Sequence, residues 1–217
     1  MSTTTATSAQ QAFAELIEAR KSVRQYEAGH RIPKEELKAI LADAARAPSS
    51  SNLQPWRFLV IDDEALKQKL LPIANNQRQI VDASATIAVL GDLESYKLAD
   101  AIYTRTAEAG YMPEDVAKRF IDNSVKMYGS LPKNIAAKIV ATDGGLVSMQ
   151  LMLAAKARGY DTVPMGGYDA AKFVEAFGIS ERYLPIMLIA IGKAASPGRP
   201  TVRLTVDEVT SWNEFKN

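Results

Sequence analysis

The chain has 217 residues, of which 47% are hydrophobic and 24% charged, and its 26 basic and 25 acidic side chains leave a formal charge of +1. That balance offers no bulk field to nucleic acid or to an anionic membrane, so binding has to come from a local site. The absence of cysteine excludes disulfides, thiolate nucleophiles and cysteine-ligated metals, and a single histidine cannot build a multi-histidine metal site within one chain. In chain order, MSTTTATSAQ lacks the basic start and apolar centre of a secretory signal and reads as a polar lead-in, which makes a cytoplasmic protein the expectation. Phe13, Leu16 and Ile17 recur at helical spacing from Gln11 to about Lys21. Pro33 opens a second helix with the stripe Leu37, Ile40, Leu41, Ala44 and Ala45, which ends before Pro48. WRFLVID alternates, so Trp56 to Ile61 reads as a strand, and Asp62 or Asp63 can cap the helix that follows.

SATIAVLGD reads as a second and more fully buried strand, and residues 93–130 as helical pieces broken by Gly110, Pro113 and Gly129. The longest apolar helix runs from about Pro132 to Arg158. Ile135, Ile139, Leu146, Met149 and Leu153 mark one face of it and Val140, Val147 and Leu151 lie off that face, a pattern expected of a helix buried on most sides. Gly144 and Gly145 within it suggest another backbone coming close. DTVPMGGYD is a short extended segment running into glycines, a helix follows to Phe177 with Gly178 as its stop, and LPIMLIAIG is a central strand. From Lys193 the chain has little apolar periodicity beyond Val202, Leu204, Val206, Val209 and Trp212, as expected of a tail lying on a larger body. No repeat, low-complexity block or linker divides the chain, so one domain over 1–217 is expected.

Four segments could carry chemistry. In ARKSVRQY the residues Arg20, Ser22 and Arg24 alternate, so in an extended chain all three point the same way and two forked guanidiniums flank a hydroxyl, a good receptor for phosphate. A solvated basic helix end explains the same residues. APSSSN offers hydroxyls, an amide and backbone N–H groups after a helix end, or is a plain loop. In PMGG, Gly166 and Gly167 let a flat ligand approach the backbone, or simply make a turn. Arg203 in the tail is the fourth.

Their joint order is much more specific than any one of them. RKSVRQY, ILADAARAPSSSNLQPWRFLVI, NNQRQIVDASATIAVL, DTVPMGGYD and the arginine of TVRL, which together span nearly the whole sequence from Glu18, resemble the FMN-dependent nitroreductase family. The resemblance implies that Arg20, Lys21, Ser22 and Arg203 hold the phosphate and ribityl chain of FMN. It places Arg24 near N1 and the C2 carbonyl of the isoalloxazine and Asn76 on the pyrimidine edge. The backbone N–H of Gly167 would face N5, with Pro164, Met165 and Gly166 beside it. Pro48, Ser49, Ser50, Ser51, Asn52 and Gln54 would reach the same flavin from the partner subunit of a homodimer. One branch of the family has an acidic residue at the position of Gly166 and a lysine at that of Thr201, so no weight is placed on Thr201.

Strands alternating with helices would by pattern alone give a parallel doubly wound sheet. The resemblance implies instead an α+β fold, a three-layer α/β/α sandwich with a mixed, mostly antiparallel sheet, in an intertwined homodimer joined through the long helix and a tail over 193–217. It further implies hydride transfer from NADPH or NADH through FMN to nitroaromatic or quinone-like acceptors, with no catalytic side chain and with residues 93–130 as substrate cover. Tyr103, Tyr111, Met127 and Tyr128 fall in that cover, as contacts or as packing residues. His30 is expected at the surface without a catalytic part. The same scaffold serves reductases of activated alkenes, semialdehydes or halogenated aromatics, and a non-catalytic flavin-binding module is the other alternative.

Overall fold

The computed structural model describes residues 8–215. Helix α1 (Ser8–Ala19) buries none of its residues and starts three residues inside the segment expected to be a lead-in, whose residues 1–7 lie outside the described span. Pro33 is the N-cap of α2 (Lys34–Ala44), which buries Leu37, Ile40 and Ala44 on one face. Strand β1 is Trp56–Ile61. Helix α3 (Glu64–Ile73) begins where the Asp63 carboxylate accepts the Leu66 N–H at 3.0 Å. The short α4 (Gln79–Asp82) leads into β2 (Ala85–Asp92), in which every residue is buried.

A 3₁₀ turn (Ser95–Leu98), α5 (Ala99–Glu108) and α6 (Glu114–Gly129) follow, then α7 (Lys133–Ala157) and β3 (Asp161–Met165). Helix α8 (Ala170–Phe177) stops at Gly178, whose φ of 63° lets the last turn close in the left-handed conformation. Strand β4 (Tyr183–Gly192) and a single turn α9 (Val206–Val209), fixed by a Thr205–Glu208 capping box, complete the described chain.

The strands lie in the order β1-β2-β4-β3, every neighbouring pair antiparallel. The parallel arrangement that strand–helix alternation would suggest is not the one found, and the connections are short for it. Helix α8 spans only ~12 Å and cannot carry the chain back along β4, which is ~33 Å long, and two helices rather than one join β1 to β2. Among the described residues the one parallel pairing is an isolated bridge between Ser22 and Thr162, which lays the Arg20–Tyr26 run along the outer edge of β3.

Both faces of the sheet are covered. Ala88, Leu90, Leu188 and Ala190 pack with Leu70, Ile80 and Phe173 from α3, α4 and α8. The alternate residues Ile87, Val89, Ile189 and Ile191 pack with Ile40 of α2 and with Val147 and Leu151 of α7. The resulting α/β/α sandwich is the expected α+β fold. Leu53, Ala99, Tyr103 and Ala117 make a separate small core that seats α5 and α6.

Helix α7 departs from expectation in two ways. It buries Val140, Val147 and Leu151, the residues off the marked face, and leaves Ile135, Leu146 and Met149 at least 40% exposed, so within one chain it is buried on one side only. Its glycines also differ from each other. A Cβ on Gly144 would lie 2.2 Å from Ile186 Cδ1 of β4, and one on Gly91 would lie 2.0 Å from Val140 Cγ1, so Gly144 and Gly91 bring α7 close to the chain's own sheet. Gly145 meets nothing within 4 Å. Among the described residues no helix is long and apolar enough to cross a membrane.

Candidate functional site

The run after α1 is extended, with the Val23 N–H donating to the Thr162 carbonyl at 3.1 Å. Its alternating side chains open onto a cavity of about 380 Å³ lined by Ile17, Arg20, Lys21, Ser22, Arg24, Met149, Arg199, Thr201 and Arg203. The tail supplies the opposite wall: 199, 201 and 203 all face the cavity, the period of an extended chain. Five cations and no carboxylate line this space, and among the described residues none of the five makes an ion pair. Arg20, Lys21 and Ser22 are half-buried while Arg24, Arg199 and Arg203 are exposed. Unpaired cations crowded into one concavity repel one another unless an anion joins them.

A second group sits beyond the end of β3. The bridge between Ser22 and Thr162 is parallel, so Arg24 runs level with Pro164, and Gly167 is three residues on, at most ~10 Å along the chain. Met165 is buried, Pro164 half-buried, and Gly166 and Gly167 are exposed. The Gly167 carbonyl accepts from Asn75 Nδ2 at 2.9 Å and Gln77 Nε2 at 3.0 Å, and its N–H has no partner among the described residues. Asn75 and Asn76 both adopt φ of 55°, the left-handed region that asparagine tolerates best after glycine. Asn75 thereby faces the glycine turn, and Asn76 stands exposed beside it, its backbone N–H donating to the Leu71 carbonyl at 2.9 Å and its side-chain amide free of hydrogen bonds among the described residues.

A third group, Pro48 to Gln54, lies apart from both and shares no cavity with the cationic cluster. Ser51, Asn52 and Gln54 have φ of 48°, 51° and 46°. None is glycine, so each such residue costs on the order of 1 kcal/mol or more. Six bonds offset that. Ser50 N–H donates to both Asp143 oxygens (3.2 and 3.1 Å) and Ser50 Oγ to one of them (3.2 Å). Tyr103 OH donates to the Ser51 carbonyl at 2.6 Å, Ser51 Oγ pairs with Tyr128 OH at 2.9 Å, and Gln54 N–H donates to Ser49 Oγ at 3.0 Å. The loop is therefore built rather than plain. Burial pushes the Asp143 carboxyl up, opposed in part by the donors of Ser50.

Residues of the expected cover sort by role. Tyr103 is buried and Tyr128 is packed against the same small core, whereas Tyr111 and Met127 are exposed. His30 is half-buried rather than at the surface: its Nδ1 lies 3.2 Å from Ser84 Oγ and its ring 6.2 Å from that of Tyr160. Sequence reading missed Arg199, Asp143, Asn75 and Gln77, and Thr201 lines the cationic cavity although no weight was placed on it. The spacing of Arg199, Thr201 and Arg203 in an extended tail was the available signal for Arg199, and a lone acid in an apolar helix was the one for Asp143.

The model of the "Nitroreductase family" matches residues 17–193. The chain belongs to the nitroreductase family. Within that family it is 46% identical over 202 residues to the "Putative NAD(P)H nitroreductase YdgI" of Bacillus subtilis, covering 92% of this chain and 97% of that one. It is 32% identical over 196 residues to the "CLA biosynthesis enone reductase" of Lactiplantibacillus plantarum, covering 89% and 90%. A crystal structure of "a putative nitroreductase in complex with FMN" from Exiguobacterium sibiricum superposes with a TM-score of 0.89 at 45% identity, covering 98% of this chain and 100% of that one. Arg199, Thr201 and Arg203 lie beyond the span matched by the family model.

Proposed function

We propose that this member of the nitroreductase family is an FMN-dependent NAD(P)H oxidoreductase that works in two alternating half-reactions, reduced by NADPH or NADH and reoxidised by nitroaromatic or quinone-like acceptors. The observation that carries the reading is the cavity with five unpaired cations and no acid. A phosphate monoester brings ~1.5 to 2 negative charges, and Arg20, Lys21, Ser22, Arg199 and Arg203 fit it without a glycine-rich phosphate loop. When bound, FMN supplies a ring nitrogen that accepts hydride and releases it to an acceptor.

The chain's own residues bind and tune. Arg24 is assigned to the electron-rich edge of the ring, where a fixed positive charge favours negative charge on the cofactor. Asn76 and the free N–H of Gly167 would supply donors to the ring, and the Asn75 and Gln77 bonds to the Gly167 carbonyl hold the turn that presents that N–H. No side chain is required as acid, base or nucleophile, and NAD(P)H as donor places the work in the cytoplasm.

The Pro48–Gln54 wall reaches the flavin from a second copy. One chain exposes 13384 Å², against about 9,800 Å² for a folded monomer of its mass. Residues 1–7 and 216–217 can supply at most about 1,400 Å² of that excess on an extended-chain reference, leaving about 2,000 Å² per chain, the scale of an obligate interface. The exposed face of α7, with Ile135, Leu146 and Met149, and the tail, with Val202 94% and Trp212 80% exposed, are the surfaces assigned to it. Met149 also lines the cationic cavity, so the interface and the cofactor site are contiguous.

The likeness to an enone reductase favours a second reading, in which activated alkenes are the acceptors and the exposed Tyr111, Phe120 and Met127 of the cover choose among them. An anaerobic steady-state panel tests the choice: NAD(P)H oxidation with nitroaromatics and quinones supports the first reading, and turnover with an enone alone would replace it with the second.

A further inference from the structure

We propose that Asp143 is a positioning residue for the flavin wall: from α7 it sets Ser50, and through Ser50 the left-handed residues Ser51, Asn52 and Gln54, in the conformation a bound flavin needs. This rests on the reading that Pro48–Gln54 contacts FMN in a second copy. Asp143 is 3% exposed and is the one acid on the buried side of α7, where the other polar side chain, Ser148, donates to the Gly144 carbonyl. Among the described residues the only hydrogen-bond partners of the Asp143 carboxylate are the N–H and hydroxyl of Ser50. The cavity beside it, about 10 Å³, has at most the room of one water, and no lysine, arginine, histidine or second acid lines it; Tyr96 from the 3₁₀ turn and Tyr128 from α6 are the titratable groups facing it. A buried carboxylate with no countercharge is a poor way to stabilise a helix, and an apolar residue of similar size would serve the core better. What it contributes is direction, since two acceptor oxygens fix one N–H and one hydroxyl at the entry to three left-handed residues.

The same helix carries Met149, a wall of the chain's own cationic cavity. Six residues, ~9 Å along one rigid rod, therefore separate this chain's phosphate site from the anchor of the wall it lends. Any shift of α7 at one site moves the other.

The sign of the pH effect separates positioning from folding. The folded carboxyl titrates above its unfolded value, so ionising it costs stability, and that cost disappears as pH falls through the folded value. Acidification thus weakens the anchor, leaving one full acceptor oxygen and no charge, while global stability does not suffer from this group. Asp143→Asn weakens it at neutral pH in the same way.

The test compares the wild-type holoprotein with Asp143→Asn at pH 7.5 and stepwise to pH 5. It reads FMN affinity by flavin fluorescence, amide exchange of Ser50 to Gln54, and Tm. Since FMN phosphate itself titrates near pH ~6, the quantity read is the ratio of wild type to variant. At pH 7.5 the variant is expected to bind FMN about tenfold more weakly and to exchange these amides about tenfold faster, with Tm unchanged or higher. The ratio should move toward one, not away from it, as pH falls, the direction set by a carboxyl whose folded value is raised. Unchanged exchange in the variant overturns Asp143 as anchor. Faster exchange with unchanged FMN affinity also overturns the proposal, and does so through the reading of the loop as a flavin wall. If Asp143→Asn does not fold, Asp143→Leu, which suits the apolar core, decides at pH 7.5: exchange at Ser50 to Gln54 no faster than in the wild type overturns it.

Discussion

Removing Arg20 and Arg203 together tests the phosphate assignment at its two ends. They come from opposite walls of one cavity, the run after α1 and the tail, and differ in setting: Arg20 is half-buried and Arg203 exposed. A hydrogen bond to a charged group contributes about 1.5 to 3 kcal/mol when shielded, and less when solvent screens it. Taking about 2 kcal/mol for Arg20 and about 1 kcal/mol for Arg203, the double variant Arg20→Ala, Arg203→Ala loses about 3 kcal/mol, a rise of about 150-fold in the Kd for FMN. Lys21, Arg24 and Arg199 remain, so weak binding persists at low salt and the purified variant is largely colourless. The assay is titration of apoprotein with FMN and, in parallel, with riboflavin, which has the same ring and no phosphate. FMN should weaken about 150-fold while riboflavin changes little, and the salt dependence of FMN binding should flatten. Unchanged FMN occupancy, or equal weakening of both ligands, would refute the assignment.

Arg199→Ala is expected to raise the Kd for FMN by about tenfold, again without effect on riboflavin; the same titration checks it, and a loss confined to NADPH would move Arg199 to the donor. Gly91→Ala drives a Cβ against the stiff Val140 and against Ile186, so thermal unfolding should show a destabilisation of about 1 to 3 kcal/mol. Leu146→Glu puts a charge on the exposed apolar face of α7; sedimentation should show a monomer and absorbance should show lost flavin in the same sample, whereas a monomer that keeps its flavin would disconnect the interface from the site.

Where local chemistry decides the structure, it could be read directly from the residues. Trp56–Ile61 has the bounds that its alternation marks, Asp63 caps α3, and Gly178 stops α8, because each depends on side chains within a few residues. The family likeness drew on the order of short motifs and so brought Arg20, Ser22 and Arg203 to one cavity although nearly the whole chain separates them. The face of α7 was not legible, since a helix apolar almost all round has no single preferred side. The choice fell to Gly144 and, across from it, Gly91, which together let α7 approach the sheet at Ile186. Strand direction was hidden too, because strand–helix alternation is compatible with either direction and the pairing is decided between strands far apart in sequence. Asp143 escaped notice because its role lies in a contact with Ser50, 93 residues away.

The visible spectrum of the purified, size-fractionated protein before and after anaerobic NADPH or NADH tests the central claim most directly. A yellow dimer whose flavin band bleaches with one or both donors, and returns on adding a nitroaromatic or quinone, is the expected result. A colourless monomer after purification with ample FMN, or a yellow protein that neither donor bleaches, would contradict the account.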